Sequence, residues 1–576
     1  MTAGSGSPSG VRSVLDVKRK LGEAVAHIVQ DLARARNAGE IDPHRLEKAC
    51  AVEVPRDPSF GDFATGAAMN LAGHFRQPPR AIAEALAERL RHSHDTLRLT
   101  SVEVAGPGFV NVRLDGRWLY EAACSIINEG PRAGVPNVGN GERVQVEFVS
   151  ANPTGPMNVV NARAAAVGDA LANLLSAAGY QVTREYYVND AGRQAHLFAL
   201  SVAARMAQLL GEPATLPEEG YPGEYVREIA EELLTEQPDL ARLSPDERLA
   251  RIGRTAVERM LDRQRRQLEA FGVRFDVWYR EHTLYQAGRV QAVLRLLEER
   301  GFLYEAEGAK WLRSTAFGDD KDRVVVKSDG SLTYLASDIA YHHDKFQRGF
   351  QRVIDIWGPD HHGYVARMKA AMQALGYAAD RLEVIILQLV SLVRGGQAVR
   401  MSKRAGEFVT LADLVEEVGP DAARYFFLSR SPESPVEVDL DLAAMQSMEN
   451  PVYYVQYAHA RICSVFRQGA AEGAAPPEHV EPGDLEPLVT PHEQAVLKVL
   501  ARYAEDVLDG ALRREPQRIV GLLYELASAF HSFYNEHRLL HPDPALRRAR
   551  LALAEAARRV LADGLSLLGV SAPERM

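Results

Sequence analysis

One segment, between residues 144 and 188, restricts the possible folds of this chain more than any other. Val144, Val146 and Phe148 occupy every second position, as in a β-strand, and a loop follows at 150–156. Positions 167, 171, 174 and 178 share one apolar helical face, Gly179 suits the position after a helix, and a second strand is predicted at 182–188. Strand, helix and strand in this order form a βαβ crossover, which predicts an α/β domain with a parallel sheet.

The chain has 576 residues, more than one domain of about 100–200 residues would contain. Shifts in pattern predict a flexible tail at 1–13, an α+β domain at 14–130, the α/β domain with insertions at 142–390, a connecting region with a mobile cationic loop at 391–448, and an all-helical bundle at 449–576. Within these parts we expect helices at 81–88 and 290–297, and strands at 102–104, 110–112, 353–357 and 384–387.

Charge and cysteine content exclude several classes of protein. The 67 basic and 77 acidic residues give a formal net charge of −10, which excludes nucleic-acid binding by bulk positive charge and leaves a local stripe as the alternative. Cys50, Cys124 and Cys463 form no Cys-x-x-Cys pair, which argues against a disulfide scaffold or cysteine-based zinc site and predicts a cytoplasmic protein. No signal peptide, membrane anchor or membrane span is predicted.

Two loops could bind a phosphorylated ligand. The loop at 150–156 follows a strand and precedes a helix, where doubly wound sheets hold their ligands, but it has neither the dinucleotide nor the P-loop glycine pattern. The loop at 400–406 carries three cations beside glycine and could close over a polyphosphate. The alternatives are a plain βα turn and a solvated surface turn.

Five motifs together resemble class I aminoacyl-tRNA synthetases and, within that class, the arginyl-tRNA synthetases. They are Ser150-Ala151-Asn152-Pro153-Thr154-Gly155-Pro156, residues 187–194, Trp357-Gly358-Pro359-Asp360-His361-His362-Gly363-Tyr364, residues 401–406 and residues 450–461. The resemblance extends from Leu15 to Met576. It implies a Rossmann-like catalytic domain, the additional N-terminal domain of this family and a C-terminal helical bundle that binds the anticodon.

The chain departs from this family in the first loop. Where the family has His-x-Gly-His, the sequence reads Asn158-Val159-Val160-Asn161. The resemblance implies that Asn158 and Asn161 stand in for two histidines that act on the ATP phosphates, and that Val160 places a branched side chain where adenine lies against glycine. In the second loop Arg400 replaces the first lysine of Lys-Met-Ser-Lys, whereas Lys403 is retained.

The resemblance also implies a set of site residues. The implied catalytic residues are Lys403, Ser402, Asn158 and Asn161, and the implied ATP-binding residues are Pro156, Met157, Val160, Gly358, Asp360, His361, His362, Arg400 and Met401. The implied arginine-binding residues are Ser150, Asn152, Asp190, Glu281, Tyr334 and Asp338. The implied tRNA-binding residues are Tyr457, Arg461, Tyr534 and Arg538. Carboxylates suit a guanidinium, which presents five donors in a planar fork. Without the family resemblance, surface acids would be the favoured interpretation of Glu281 and Asp338. Asp360, His361 and His362 lack further ligands at suitable spacing, so no protein metal site is predicted.

Three functions remain open at this point. The first is ligation of arginine to its tRNA through arginyl-adenylate, with ATP accompanied by Mg²⁺ and a monomeric enzyme without a membrane partner. The second is an impaired paralogue that binds arginine or tRNA without efficient adenylation, because three residues of the first loop are changed together. The third is another adenylyl-transfer enzyme, against which the long helical C-terminal part argues.

Overall fold

The computed structural model describes residues 11–93, 97–399 and 409–576. Its N-terminal part contains α1 (Val14–Ala35), α2 (Pro43–Ala49), β1 (Val52–Glu53), β2 (Phe63–Thr65), α3 (Ala67–Phe75), α4 (Pro79–His92), β3 (Leu99–Ala105), β4 (Phe109–Leu114) and α5 (Arg117–Asn128). The strands pair antiparallel in the order β1-β2-β4-β3. The predicted α+β character is confirmed, as are the helix at 81–88 and the two strands that flank Gly106.

The central part alternates strands and helices. Its elements are β5 (Arg143–Glu147), α6 (Val159–Ala177), β6 (Gln181–Val188), α7 (Arg193–Leu209), α8 (Glu224–Glu236), α9 (Pro245–Ala270), β7 (Val277–Arg280), α10 (His282–Gln286), α11 (Arg289–Glu299), β8 (Leu303–Ala306), β9 (Ala309–Leu312), β10 (Arg323–Val326), α12 (Tyr334–Gln347), β11 (Arg352–Trp357), α13 (Val365–Ala374) and β12 (Leu382–Ile386). The helix predicted at 290–297 and the strands predicted at 353–357 and 384–387 are confirmed.

Five strands of this part form one parallel sheet in the order β12-β11-β5-β6-β7. The first strand, β5, lies at the centre, and the chain builds outward from it in both directions, which is the doubly wound arrangement. Helix α6 makes the predicted crossover from β5 to β6. It lies so close to the sheet that a Cβ on Gly168 would fall 2.2 Å from the Phe148 ring, so glycine is required at this contact.

Two insertions enlarge the sheet domain. Helices α7, α8 and α9 lie between β6 and β7 and enclose a small apolar core of their own. An antiparallel sheet in the order β10-β9-β8 precedes α12 and shares an apolar core with it. Helix α9 of the first insertion contacts the loop that follows β5.

The remaining elements connect the sheet domain to a helical bundle. They are β13 (Val390–Arg394), β14 (Gln397–Ala398), α14 (Leu411–Phe427), β15 (Val436–Asp439), α15 (Leu440–Ala444), α16 (Pro451–Ala471), α17 (Pro491–Arg513), α18 (Gln517–Glu536) and α19 (Pro544–Leu568). Helix α14 is kinked at Gly419-Pro420, where proline interrupts the helical hydrogen bonds. The predicted all-helical C-terminal part is confirmed. Within the described ranges, no helix combines the length and hydropathy needed to cross a bilayer.

Arg424, on α14, joins four parts of the molecule. Its guanidinium is fully buried and donates to the carbonyl oxygens of Phe271 (3.2 Å) and Leu568 (3.0 Å), and to Asp169 Oδ2 (2.6 Å). Asp169 lies on α6 and also accepts a hydrogen bond from Arg184 on β6 (3.1 Å). One cation thus fixes the helix after the cationic loop against α6, the end of α9 and the end of α19.

We expect Arg424→Met to lower the free energy of unfolding by about 3–5 kcal/mol, because it leaves a buried carboxylate and two carbonyl groups without their donor. Urea unfolding followed by circular dichroism measures this loss. Arg502→Met is the matched control, since Arg502 pairs with Glu525 at the surface, where an ion pair contributes below about 1 kcal/mol. Equal losses in both variants would contradict the special role of Arg424.

Candidate active site

The backbone is strained where β5 ends. Val149 (φ 69°) and Ser150 (φ 40°) are consecutive residues in the left-handed region, which a β-branched residue such as valine rarely adopts. Such strain persists only where surrounding contacts hold it, and it concentrates at functional sites. This turn begins the loop at the carboxyl end of β5, next to the carboxyl end of β11.

Several side chains hold the loop that follows this turn. From α9, Gln264 Nε2 donates to the carbonyl oxygens of Asn152 (2.9 Å) and Gly155 (2.8 Å), and Gln267 Oε1 accepts from Met157 N–H (3.0 Å). The Tyr186 hydroxyl donates to Ala151 O (2.8 Å). Sequence reasoning missed these residues, although two glutamines three apart on one helix share a face.

Asn158 and Asn161 form a reciprocal cap at the start of α6. Asn158 Oδ1 accepts from the N–H groups of Val160 (2.9 Å) and Asn161 (3.0 Å), while Asn161 Oδ1 accepts from Asn158 N–H (3.1 Å). Both side-chain oxygens are therefore engaged, whereas the two Nδ2 amides have no partner among the residues that the structure describes. Val160 is 39% exposed in this first turn, so its side chain faces outward rather than into the core.

The described residues next to the cationic loop contact the same turn. Leu411 N–H donates to Met157 O (2.8 Å), and Thr410 pairs with Asn158 in a short antiparallel bridge. The predicted residues Arg400, Met401, Ser402 and Lys403 lie outside the described residues. Met157, which is predicted to bind ATP, is fully buried, and its main chain contacts Leu411 and Gln267.

Two carboxylates, Glu281 and Asp338, lie close enough for one to affect the pKa of the other. Glu281, 4% exposed, accepts a hydrogen bond at Oε1 from Tyr285 (3.3 Å), while its buried Oε2 has no partner among the described residues. Asp338 Oδ2 accepts from the Tyr364 hydroxyl (2.6 Å). Burial and the neighbouring Asp338 raise the pKa of Glu281 to about 7, and burial raises that of Asp338. Two neighbouring carboxylates with raised pKa values suit a ligand cation that offers several donors.

Three residues predicted to bind arginine take different positions. Asp190 accepts from the N–H (3.0 Å) and Nδ1 (2.7 Å) of His282, so it fixes the start of α10 beside Glu281. Tyr334 is 71% exposed, one helical turn before Asp338. Asn152 is exposed and donates from Nδ2 to Gln194 (2.5 Å).

The residues predicted to contact adenosine follow β11. Gly358 caps a short 3₁₀ helix at 359–364, and Asp360, His361 and His362 are all exposed on it. This helix also carries Tyr364, the partner of Asp338, which sequence reasoning passed over although it ends a quoted motif. No group of three or more His, Cys, Asp or Glu side chains in the described part of the chain is arranged to hold a metal ion.

The predicted tRNA residues cluster on the helical bundle. The Arg461 guanidinium lies over the rings of Tyr457 (4.6 Å) and Tyr534 (4.7 Å), and it also contacts His531 Nδ1 (3.1 Å). Arg538 is exposed and lines a cavity of about 360 Å³ with Tyr534. Arginine and aromatic rings in this arrangement suit stacking with unpaired bases.

Comparison with known families follows the same division of the chain. Residues 18–114 match the arginyl tRNA synthetase N terminal domain, residues 125–428 match the catalytic domain of class I tRNA synthetases of the arginine type, and residues 455–576 match the DALR anticodon binding domain. The doubly wound sheet, with a capped helix behind its central loop, is thus the catalytic fold of a class I aminoacyl-tRNA synthetase.

Whole-chain relatives narrow the assignment. The arginine–tRNA ligase of Moorella thermoacetica is 49% identical over 571 residues, covering 98% of this chain and all of the relative. That of Desulforudis audaxviator is 51% identical over 526 residues, covering 91% of this chain and 93% of the relative. The chain belongs to the arginyl-tRNA synthetase family.

Solved structures support the same fold. The arginyl-tRNA synthetase of Thermus thermophilus aligns with a TM-score of 0.74 at 25% identity, covering 97% of this chain and all of that one. The enzyme of Plasmodium falciparum aligns over 99% of this chain with a TM-score of 0.72 at 16% identity, which supports the fold alone. The comparisons offer nothing in favour of an impaired paralogue.

We expect arginine affinity to increase as the pH rises through about 7 and then to level off. Below that pH Glu281 is protonated in the free protein, so binding a guanidinium must release a proton, at a cost of up to about tenfold in affinity per pH unit. Calorimetric titration of arginine between about pH 6 and 8.5 measures this change, and Glu281→Gln should abolish the pH dependence. A pH-independent affinity in the unmodified protein would contradict the assignment.

Proposed function

We propose that the chain activates arginine in the pocket of Glu281 and Asp338 and passes it to the 3′ end of its tRNA. The overall activity, ATP-dependent ligation of arginine to tRNA, is that of the family to which the chain belongs. The observation that supports this pocket most directly is the buried Oε2 of Glu281, which lies beside Asp338 and has no partner within the described ranges. Two carboxylates match the fork of guanidinium donors, whereas a lysine would leave one of them unpaired.

The amino-acid backbone would lie toward the strained turn after β5. There the exposed amide of Asn152 can approach the α-amino and carboxylate groups of arginine. Asp190 contributes indirectly, because its hydrogen bonds to His282 hold the segment that carries Glu281. Tyr334, exposed one helical turn before Asp338, is positioned to cover the guanidinium once arginine is bound.

ATP would bind at the start of α6, with its α-phosphate near the arginine carboxylate. A helix N-terminus attracts anions, and the Nδ2 amides of Asn158 and Asn161 add two donors there. The arginine carboxylate oxygen attacks the α-phosphorus, the bond to the bridging oxygen breaks, and pyrophosphate leaves. Lys403 would neutralise charge on the leaving pyrophosphate, with Ser402 and Arg400 beside it, and Mg²⁺ enters with ATP.

The other adenosine contacts and the domain roles are part of the same proposal. Pro156, Val160, Gly358, Asp360, His361, His362 and Met401 would surround the nucleotide. Residues 14–130 form the additional domain, 142–390 the catalytic domain, 391–448 the connecting region and 449–576 the anticodon-binding bundle. On that bundle, Tyr457, Arg461, Tyr534 and Arg538 would contact tRNA. We propose a cytoplasmic monomer.

Arginine-dependent exchange between ATP and pyrophosphate tests the proposed reaction. We expect exchange with arginine tRNA present and its loss in Lys403→Ala, because the leaving group then lacks a cation. Exchange in the unmodified protein that equals the Lys403→Ala background would reject adenylation by this site. Tritiated arginine on tRNA, measured in parallel, reports the second step.

Asn158→Asp separates helix capping from catalysis. Aspartate still accepts the two backbone hydrogen bonds and suits a helix N-terminus, so thermal stability should be unchanged or higher. Exchange should fall by about 10²–10³-fold, because a donor to the phosphates is replaced by an anion. Asp543→Asn at the cap of α19 is the matched control: it makes the reverse substitution at a cap outside the site, keeps the acceptor and should leave pyrophosphate exchange unchanged. Full exchange in Asn158→Asp would show that the amide is no phosphate donor.

A further inference from the structure

Four ionisable side chains form a continuous buried cluster beneath the arginine pocket. We call Glu147, His342, Lys345 and Asp355 the buried tetrad. Lys345 Nζ donates to Glu147 Oε2 (2.5 Å) and to Asp355 Oδ1 (2.7 Å), and His342 Nε2 bonds Asp355 Oδ2 (2.7 Å). Lys345 and Asp355 are fully buried, and the other two are nearly so. The tetrad connects β5, β11 and α12, because Glu147 lies on the first strand, Asp355 on the second and the other two residues on the helix.

The hydrogen-bond partners determine the charges of the tetrad. His342 Nδ1 faces the Asp338 carbonyl (2.7 Å) and Nε2 faces a carboxylate oxygen, and both of these are acceptors. Burial alone would favour a neutral Asp355, but Lys345 and His342 lower its pKa to about 2, so it is ionised. The histidine must then donate from both nitrogens and is positively charged. Glu147 accepts from Ser150 at one oxygen and from Lys345 at the other, while burial raises its pKa.

Each end of the tetrad contacts one end of the proposed arginine pocket. At one end, Glu147 Oε1 accepts from Ser150 Oγ (2.9 Å), and the same oxygen of Ser150 accepts from Tyr187 N–H (3.0 Å). These bonds hold the strained turn from which the loop to Asn152 departs. At the other end, His342 holds the main chain of Asp338. The tetrad thus spans from the backbone end of the substrate to its guanidinium end.

We infer that the buried tetrad sets the length of the amino-acid pocket and so selects a side chain with three methylene groups between the α-carbon and the guanidinium. Its four members are positioning residues, since they act through Ser150 and Asp338. The inference rests on the proposed function, in which Glu281 and Asp338 bind the guanidinium. The inference adds that the distance between the backbone end and the guanidinium end of the pocket is determined by buried charged residues that the substrate does not contact.

The energetics favour a rigid spacer. A buried charge that loses its partner is strongly destabilising, so the tetrad resists the partial separation that a longer or shorter substrate would require. A hydrophobic pocket distinguishes substrates that differ by one methylene by only about 10–200-fold. A displacement of the reacting groups by about 1 Å can lower the rate by about 10²-fold. A fixed distance between two polar ends can therefore contribute as much discrimination as the walls of the pocket.

The double variant Glu147→Gln with Lys345→Met tests this inference. It removes one cation and one anion together, keeps an acceptor for Ser150 and fills the lysine volume. Pyrophosphate exchange with tRNA present is measured for arginine, homoarginine and 2-amino-4-guanidinobutyrate, which differ by one methylene. We expect kcat/KM for arginine to fall, mainly through KM, and discrimination against both homologues to fall by about tenfold or more.

A second variant and a control complete the experiment. His342→Gln is the alternative if the double variant does not fold. It retains one donor toward Asp355 and removes the hydrogen bond to Asp338, so it should also reduce discrimination. The control, Glu493→Gln with Arg550→Met, removes a buried pair (2.8 Å) from the helical bundle and should leave the ratio unchanged. A folded tetrad variant with unchanged discrimination overturns the inference. Unchanged arginine kinetics in Glu281→Gln and Asp338→Asn would instead reject the proposed pocket.

Discussion

The rest of the structure depends on one constraint: the strand order of the parallel sheet reverses beside its central strand, β5. In the order β12-β11-β5-β6-β7, the connection after β5 leads to β6 and the connection after β11 leads to β12, in the opposite direction, which opens a crevice at the carboxyl ends of these two strands. The loop after β5, the 3₁₀ helix after β11 and the first turn of α6 follow these strand ends. The proposed nucleotide and amino-acid sites are built from these three segments.

Polar contacts, rather than apolar packing, determine the shape of this crevice. The strained residues Val149 and Ser150 are held by Glu147 below, while Gln264 holds the loop from α9. Arg424 fastens α6 to the helix that follows the cationic loop and to the end of the bundle. The bundle is therefore connected directly to the helix whose first turn is the proposed ATP site.

Local patterns in the sequence predicted most of the fold. The period of two in 144–149, the helical face at 167–178 and Gly179 with φ 91° all describe neighbours in the chain, where backbone geometry alone decides the outcome. Glu281 and Asp338 were implied by the family resemblance, and the structure places them close together. By contrast, Lys345 resembles an ordinary helical surface lysine in the sequence, because its partner Glu147 is 198 residues away. A polar residue is recognisable as buried only when its partner is known.

The sequence by itself determined the parallel sheet, the order of the domains and the family, because strand period, helix period and contiguous motifs are local properties of the chain. Only the tertiary structure decided how the site residues are used. It engages both asparagine oxygens in capping α6, commits Asp190 to His282 and leaves Glu281 Oε2 without a partner in the described chain. These outcomes depend on distances between distant segments, and hydrogen bonds form or fail within a few tenths of an ångström.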